Sequence, residues 1–288
     1  MDTPAISIRA LRKSYGRHEA LKGIDLDVAP GEILAFLGPN GAGKTTTINI
    51  LTGLLRQSRG EVHYSGVLFD PEKLPQKRII GVAPQHNNLD RDLSVAENLK
   101  VHGLLFGLRG GELARRIDEC LAVMDLQEYA VRPAHELSGG LKRRAVIARA
   151  LLHSPRILFL DEPSAGLDPL SRRNIKALVR RLNREFGVCV FLTTHYIEEA
   201  DGLAARVAFI DRGKLAALDT PENLKAALGA YAVEYAVGDD YDVRYFNDRA
   251  AAVEAAQGLV RDVRIREVTL EDAYLKLTGK KLEEGVDA

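Results

Sequence analysis

Short runs of uninterrupted apolar residues punctuate the chain: Ile33-Leu34-Ala35-Phe36-Leu37, Ile157-Leu158-Phe159-Leu160 and Val188-Cys189-Val190-Phe191-Leu192. Runs of this length with no polar interruption predict buried strands. Each one stops at polar residues: a glycine-rich stretch at Gly38, the acidic pair Asp161-Glu162, and Thr193-Thr194-His195. Other segments alternate instead. Ile24 to Val28 switches apolar and acidic with period two, and with Ile6 to Arg9 it predicts an antiparallel layer. Glu61 to Tyr64 and Ile79 to Ala83 are further strands, the second ending at Pro84-Gln85, and Val207 to Ile210 with Leu215 to Leu218 predict a hairpin around Asp211-Arg212-Gly213.

Between these strands the period changes. Ile48, Leu51 and Leu55 predict a helix over Thr46 to Leu55. From Leu93 to Leu126 the spacing is helical, with a capping box at Ser94-Val95-Ala96-Glu97, a turn within Gly103 to Gly111, and Leu113, Ile117, Leu121 and Met124 on one face. Leu141 to Leu152 is a helix burying Ala145, Ala148 and Leu152. Beyond Thr220-Pro221-Glu222, a helix start with proline at its first position, the chain predicts a strand at Tyr231 to Val237, a helix at Ala250 to Ala256 and a strand at Val263 to Arg266. A last helix follows, capped by Thr269 and stopped by Gly279, with Leu270, Ala273, Tyr274 and Leu277 on one face; Lys280 to Ala288 form a polar tail.

The chemistry begins at Gly38-Pro39-Asn40-Gly41-Ala42-Gly43-Lys44-Thr45, which fits the phosphate-loop pattern G-x-x-x-x-G-K-[ST] and stands between a strand and a helix, as that loop requires. Its glycines let backbone N–H groups face a phosphate at a helix start. Lys44 lies along the β/γ-phosphates and Thr45, followed by Thr46, binds Mg²⁺. Many folds use this loop, so alone it indicates a nucleoside triphosphatase and no more. Ser138-Gly139-Gly140 opens a helix and makes a second anion-binding end. Asp161 and Glu162 stand at a strand's carboxyl end, where open α/β sheets place their ligands, and His195 closes the neighbouring type of strand. Tyr15, in the loop between the first two strands, is an aromatic ring that can stack on a purine or simply pack.

Composition narrows the possibilities. With 40 Lys and Arg against 40 Asp and Glu, the chain of 288 residues has no net charge, so no basic field draws nucleic acid. Cys120 and Cys189 each fall in an apolar element, which suits reduced core residues of a cytoplasmic protein. The first residues carry no basic-then-apolar signal pattern, and no run of about 18 apolar residues could span a bilayer.

The order phosphate loop, Gln85, Leu137-Ser138-Gly139-Gly140, Ile157 to Glu162, Ser164-Ala165-Gly166-Leu167-Asp168 and His195 resembles the ATP-binding subunit of ABC transporters, over roughly residues 5–218. The resemblance implies an α/β fold: a P-loop NTPase core with an antiparallel β layer and a helical insert over about 86–136. The ATP-binding domain would span 1–219, and 220–288 a small β/α appendix. It implies ATP and Mg²⁺ as ligands, with Tyr15 stacking on adenine, and Lys44 and Thr45 on phosphate and metal. Asp161 would be a second Mg²⁺ contact through water, and Gln85 a sensor of Mg²⁺ and of the membrane subunit. Glu162 would polarise the attacking water, and His195 would contact the γ-phosphate. Ser138 and Gly140 would cap the γ-phosphate of the opposite subunit in a head-to-tail dimer, a homodimer or one with an equivalent ABC subunit, with Asp168 reaching across.

One position departs from the pattern: Leu141 follows the glycines where the family usually has glutamine. Similar apolar residues there, the Pro84 to Asp90 and Glu97-Asn98-Leu99 stretches and the terminal Thr269 to Tyr274, are like those of exporters with type-2 membrane subunits, which move drugs, lipids, polysaccharides or nodulation-type molecules. The expectation is an ATPase at the inner face of the membrane, bound to an integral membrane permease. A soluble relative acting in translation or DNA repair is the alternative, weakened by the neutral charge and the single ATP-binding domain.

Overall fold

The computed structural model describes residues 3–237, 240–259 and 262–279. The chain opens with a hairpin of β1 (Ile6–Tyr15) and β2 (His18–Val28), then runs through β3 (Ile33–Leu37) into α1 (Lys44–Leu51). β4 (Arg59–Tyr64) and β5 (Val67–Leu68) return to the hairpin and give an antiparallel sheet of order β2-β1-β4-β5. After α2 (Leu74–Lys77) and β6 (Ile80–Ala83) comes the helical block, α3 (Val95–Leu105) and α4 (Gly110–Val123), followed by α5 (Gly139–Leu151). β7 (Ile157–Asp161), α6 (Pro169–Phe186), β8 (Cys189–Thr194), α7 (Ile197–Ala200), β9 (Arg206–Asp211) and β10 (Lys214–Asp219) complete the large sheet.

That sheet has the order β10-β9-β3-β8-β7-β6, parallel throughout except for β10. Every residue of β3, β7 and β8 is buried, because both faces are covered. Leu34, Phe36, Phe159 and Phe191 pack toward the antiparallel sheet, with the Phe191 ring 5.4 Å from Phe36 and 5.6 Å from Phe159. Ala35, Leu37, Leu158, Leu160, Val190 and Leu192 pack on the helices of the other side. Unbroken apolar runs in the sequence are thus strands whose alternate residues feed two different cores.

The expected capping box of α3 is present: Ser94 Oγ accepts from Glu97 N and Glu97 accepts from Ser94 N. The expected face of α4 also holds, with Leu113 and Leu121 buried and Ile117 packed beside them. No element is anticipated above between Asp168 and Val188, yet α6 fills that span. Its burial is confined to a narrow stripe of Ile175, Leu178, Val179 and Leu182 among arginines, so the 3.6-residue period is easily overlooked. Tyr15 is also placed differently: it ends β1, pairing with His18 across a tight turn, rather than lying in a loop.

The remainder comprises α8 (Pro221–Ala226), β11 (Tyr231–Val237), β12 (Asp240–Phe246), α9 (Arg249–Gln257), β13 (Arg264–Glu267) and α10 (Leu270–Thr278). β12-β11-β13 form a small antiparallel sheet with its own cluster of Val233, Tyr235 and Ala252. α10 instead joins the main core. Tyr274 is almost fully buried with its ring 5.3 Å from that of Phe209. Leu277, expected on the same face, is half exposed because the last turn overhangs the contact. Gly279 ends the helix at φ 67°, the left-handed conformation for which glycine is suited. The expected polar tail, Lys280 to Ala288, lies outside the described residues.

Candidate nucleotide-phosphate site

Four adjacent strands deliver the site. In the order β3-β8-β7-β6, their carboxyl ends carry the glycine-rich loop, His195, the pair Asp161-Glu162, and Pro84-Gln85. The loop is held close to its neighbours. A Cβ on Gly38 would lie 2.3 Å from the Ile210 carbonyl oxygen, and one on Gly43, at φ 112°, would lie 2.7 Å from Leu21 Cδ2. Gly43 caps α1 with no side-chain acceptor, so the helix start is unoccupied by the chain's own oxygens. Lys44 is buried and donates Nζ to the carbonyl oxygens of Gly38 at 2.7 Å and Pro39 at 3.3 Å, across the mouth of the loop.

The carboxylates differ in environment. Asp161 Oδ1 accepts from Thr193 Oγ1 at 2.6 Å, and burial pushes its carboxyl above the ordinary aspartate range. Glu162 stands at φ 45°, a strained conformation for a residue with a Cβ, and its N–H donates to the Thr193 carbonyl at 3.1 Å. That turn swings its side chain away from Asp161. Glu162 Oε2 accepts from His195 Nδ1 at 2.7 Å and Oε1 lies 3.5 Å from Lys44 Nζ. Burial alone would raise the Glu162 carboxyl, but the His195 hydrogen bond and the Lys44 charge outweigh it and hold it below the usual glutamate range. Burial likewise lowers Lys44, against the pull of Glu162. With Nδ1 committed to the carboxylate, His195 has Nε2 left to present elsewhere.

Lys44, Glu162 and His195 border a cavity of about 700 Å³, whereas Asp161 is buried beside it and does not line it. Its walls include Tyr15, Pro39, Asn40, Gly41 and Gly43, the helix-start residues Lys44, Thr45 and Thr46, and Gln85, Glu162 and His195. Thr45 and Gln85 are exposed to it, whereas Gly38 and Ala42 shape the loop from behind. The half-exposed Tyr15 ring has Lys13 Nζ 5.2 Å from its centroid. Among the described residues, no cluster of three or more His, Cys, Asp or Glu side chains could hold a metal. The oxygen donors Thr45, Gln85 and Asp161 suit a hard cation that brings most of its ligands with it.

The second glycine-rich stretch is not brought to this cavity. Ser138 caps α5, its Oγ accepting from Leu141 N at 3.3 Å, and with Gly140 it borders a separate cavity of about 550 Å³ beside Arg144 and Ser171. Gly139 and Gly140 are the first two residues of the helix, and a Cβ on Gly140 would meet Ser171 Oγ at 2.7 Å. Asp168 caps α6, accepting from Ser171 N at 2.9 Å.

Arg143 belongs to no motif in the sequence, yet it organises the site. Only 3% exposed, it donates to the Pro84 carbonyl, to the Asp161 carbonyl at 2.9 Å and toward that of Gln85 at 3.5 Å, tying α5 to two of the site-bearing strand ends. A signal exists: Arg143 shares the α5 stripe with Val146, Ile147 and Ala150, and an arginine on a buried face needs acceptors.

A glycine-rich loop between a central parallel strand and a helix, with a lysine in it and carboxylates on a neighbouring strand, defines a phosphate-loop nucleotide-binding protein. Comparison with known proteins makes this specific. The sequence profile described as "ABC transporter" matches residues 21–165. The chain is 36% identical to "Nod factor export ATP-binding protein I" of Cupriavidus metallidurans, over 98% of this chain and 100% of that one. It is also 36% identical to "Daunorubicin resistance ATP-binding protein DrrA2" of Streptomyces coeruleorubidus, over 98% of both chains. Among solved structures it is similar to cbiO1 of Clostridium perfringens, with TM-score 0.72 and 28% identity over 78% of this chain and 91% of that one. It is also similar to a dimeric ATP-binding cassette in a post-hydrolysis state with ADP and Pi, with TM-score 0.67 and 31% identity over 75% and 98%. The chain belongs to the ABC transporter family, and it is an ATPase of that family.

Proposed function

We propose that this chain is the ATP-hydrolysing subunit of a membrane exporter, acting as a homodimer that closes around ATP. The observation that carries the reading is the convergence of Lys44, Glu162, His195 and Gln85 at the carboxyl ends of four adjacent strands, in a chain whose relatives bear export and resistance names. None of the relatives reported above is named for translation or DNA repair.

Each residue then has a role. Gly38, Pro39, Asn40, Gly41, Ala42 and Gly43 shape the cradle, Tyr15 stacks on the base, and Lys44 gives up its carbonyl partners for β/γ-phosphate oxygens. Thr45 and Gln85 would hold Mg²⁺ and Asp161 would contact it through water; when bound, the ion would supply charge neutralisation on the phosphates. Glu162, ionised at neutral pH, orients the attacking water and accepts its proton, while His195 Nε2 faces the γ-phosphate with Nδ1 anchored on Glu162. Thr46 backs Thr45 in α1. Ser138, Gly139 and Gly140 meet the nucleotide of the opposing copy, which accounts for their distance from this copy's own cavity. Residues 1–219 are the ATP-binding domain, and 220–288 the appendix.

Among the described residues no helix is long and apolar enough to cross a membrane, so motion has to be handed to a partner. We place that contact on the helical insert, about 86–136, at the inner face of the cell membrane. Closure supplies differential binding between two transporter states. Affinity capture of the tagged chain from detergent-solubilised membranes tests this. Copurification of a polypeptide with several spans of about 20 apolar residues is the expected result. Recovery of ribosomal or DNA-bound material would overturn it.

A further inference from the structure

The loop leaving Glu162 and the turn bearing His195 are fastened together by side chains that the roles above do not use. Arg172, in the first turn of α6, donates Nε to the Leu167 carbonyl at 2.8 Å. Its guanidinium carbon lies 4.3 Å from the centroid of the Tyr196 ring, and Nη2 reaches Tyr196 Oη at 3.4 Å. Tyr196 in turn lies against His195, their ring centroids 4.0 Å apart. The turn bearing His195 is braced within itself: Thr194 Oγ1 donates to Glu199 Oε2 at 3.1 Å and accepts from Tyr196 N at 3.0 Å.

The consequence is geometric. The Glu162 hydrogen bond fixes one atom of the imidazole, Nδ1, and a single anchor leaves the ring plane free to swing. The Tyr196 face supplies the second constraint, and Tyr196 is itself held by an arginine whose other hydrogen bond reads the position of Leu167. A shift of the Ser164–Asp168 loop therefore moves Arg172, and with it the Tyr196 ring that lies tilted at 40° against His195.

We propose that Arg172 and Tyr196 are positioning residues that set the plane of the His195 imidazole according to the conformation of the Ser164–Asp168 loop, so that loop geometry gates hydrolysis within one chain. The proposal rests on the roles of Glu162 and His195 given above. Arginine over an aromatic face persists without the phenol oxygen, so the ring matters more than the hydroxyl. Misalignment of a positioned group costs rate, and by the small displacements expected here about tenfold.

The test is steady-state ATP hydrolysis by the full chain, with thermal melts and the His195 Cε1–H resonance of the nucleotide-free protein recorded for each variant. Tyr196→Phe is expected to keep the wild-type rate and resonance. Tyr196→Leu and Arg172→Met are each expected to lose about tenfold in kcat with KM for ATP changed by less than about twofold, and both to shift the resonance. The double variant is expected to lose no more than either single one, because the two act as one unit. Wild-type kcat in either single variant, losses that multiply in the double, an effect confined to KM, or an unmoved resonance would overturn the proposal. If Tyr196→Leu does not fold, Arg172→Met with Tyr196→Phe gives the same decision. Glu162→Gln is measured alongside: hydrolysis surviving there removes the underlying reading, whereas its loss beside a normal Arg172→Met removes the clasp alone.

Discussion

Glu162 and His195 meet through a 2.7 Å hydrogen bond from the imidazole Nδ1 to Oε2, although 33 positions separate them in the chain. They meet because β7 and β8 are adjacent and parallel, with Asp161 opposite Thr193, so that the residue after each strand emerges at the same edge. The second carboxylate oxygen faces Lys44 at 3.5 Å, which gives a buried line of histidine, carboxylate and lysine along the cavity. One imidazole nitrogen is thereby anchored and the carboxylate kept charged before any nucleotide arrives.

Gly38 is required by contact rather than by its backbone angle. In Gly38→Ala the added methyl would lie 2.3 Å from a backbone oxygen of Ile210 and 2.8 Å from its Cγ2, and only the side chain can yield. We expect a loss of about 3 kcal/mol in urea unfolding, together with loss of ATP binding, as the loop is pushed off β9. Unchanged stability would show that this approach is looser than drawn.

Arg143→Met removes a buried cation and leaves the Pro84 and Asp161 carbonyls without their donor. The expected cost is about 3 kcal/mol, with a fall in hydrolysis as Gln85 and Asp161 lose their common anchor. Equilibrium unfolding and the ATPase rate check it together. Full stability with full activity would mean that other donors replace the guanidinium.

His102 gives a pH signature that has nothing to do with catalysis. Burial, with the nearby charges of Arg149 and His153, pushes its imidazole down from 6.5 to about 4 in the folded chain. Between those values the unfolded chain binds a proton that the folded chain refuses, so stability falls as pH drops through this window and is unaffected above it. Thermal melts of wild type and His102→Gln should run parallel above about pH 6.5 and diverge below it, the variant losing less. Parallel curves down to pH 4 would contradict the assignment.

Much of this was legible in the sequence. Apolar runs in β3, β7 and β8 marked the central sheet because both faces are buried, and the polar residues closing them became the site because parallel strands end at one edge. What escaped depends on contacts between distant segments. α6 has only a narrow apolar stripe, so local pattern said little of it. Arg143 reads in sequence as one of three consecutive cations, and only the fold turns it inward to carbonyls 18 and 59 positions away. Tyr15 reads as a loop residue in sequence because β1 and β2 are longer than their apolar cores, their register carried past Leu11 by irregular pairing. That Ser138 and Gly140 stand apart from Lys44 follows from the family resemblance and not from local pattern, since it is a matter of where α5 sits relative to β3.

The most direct test of the account is ATP hydrolysis by Glu162→Gln beside wild type, with the mass of the same sample followed by light scattering. The amide keeps the size and one acceptor oxygen of the side chain but cannot take a proton from water. The account predicts hydrolysis lower by orders of magnitude, ATP binding nearly intact, and a dimer that forms on adding ATP and persists. Wild-type turnover by Glu162→Gln, or a strict monomer at saturating ATP, would contradict it.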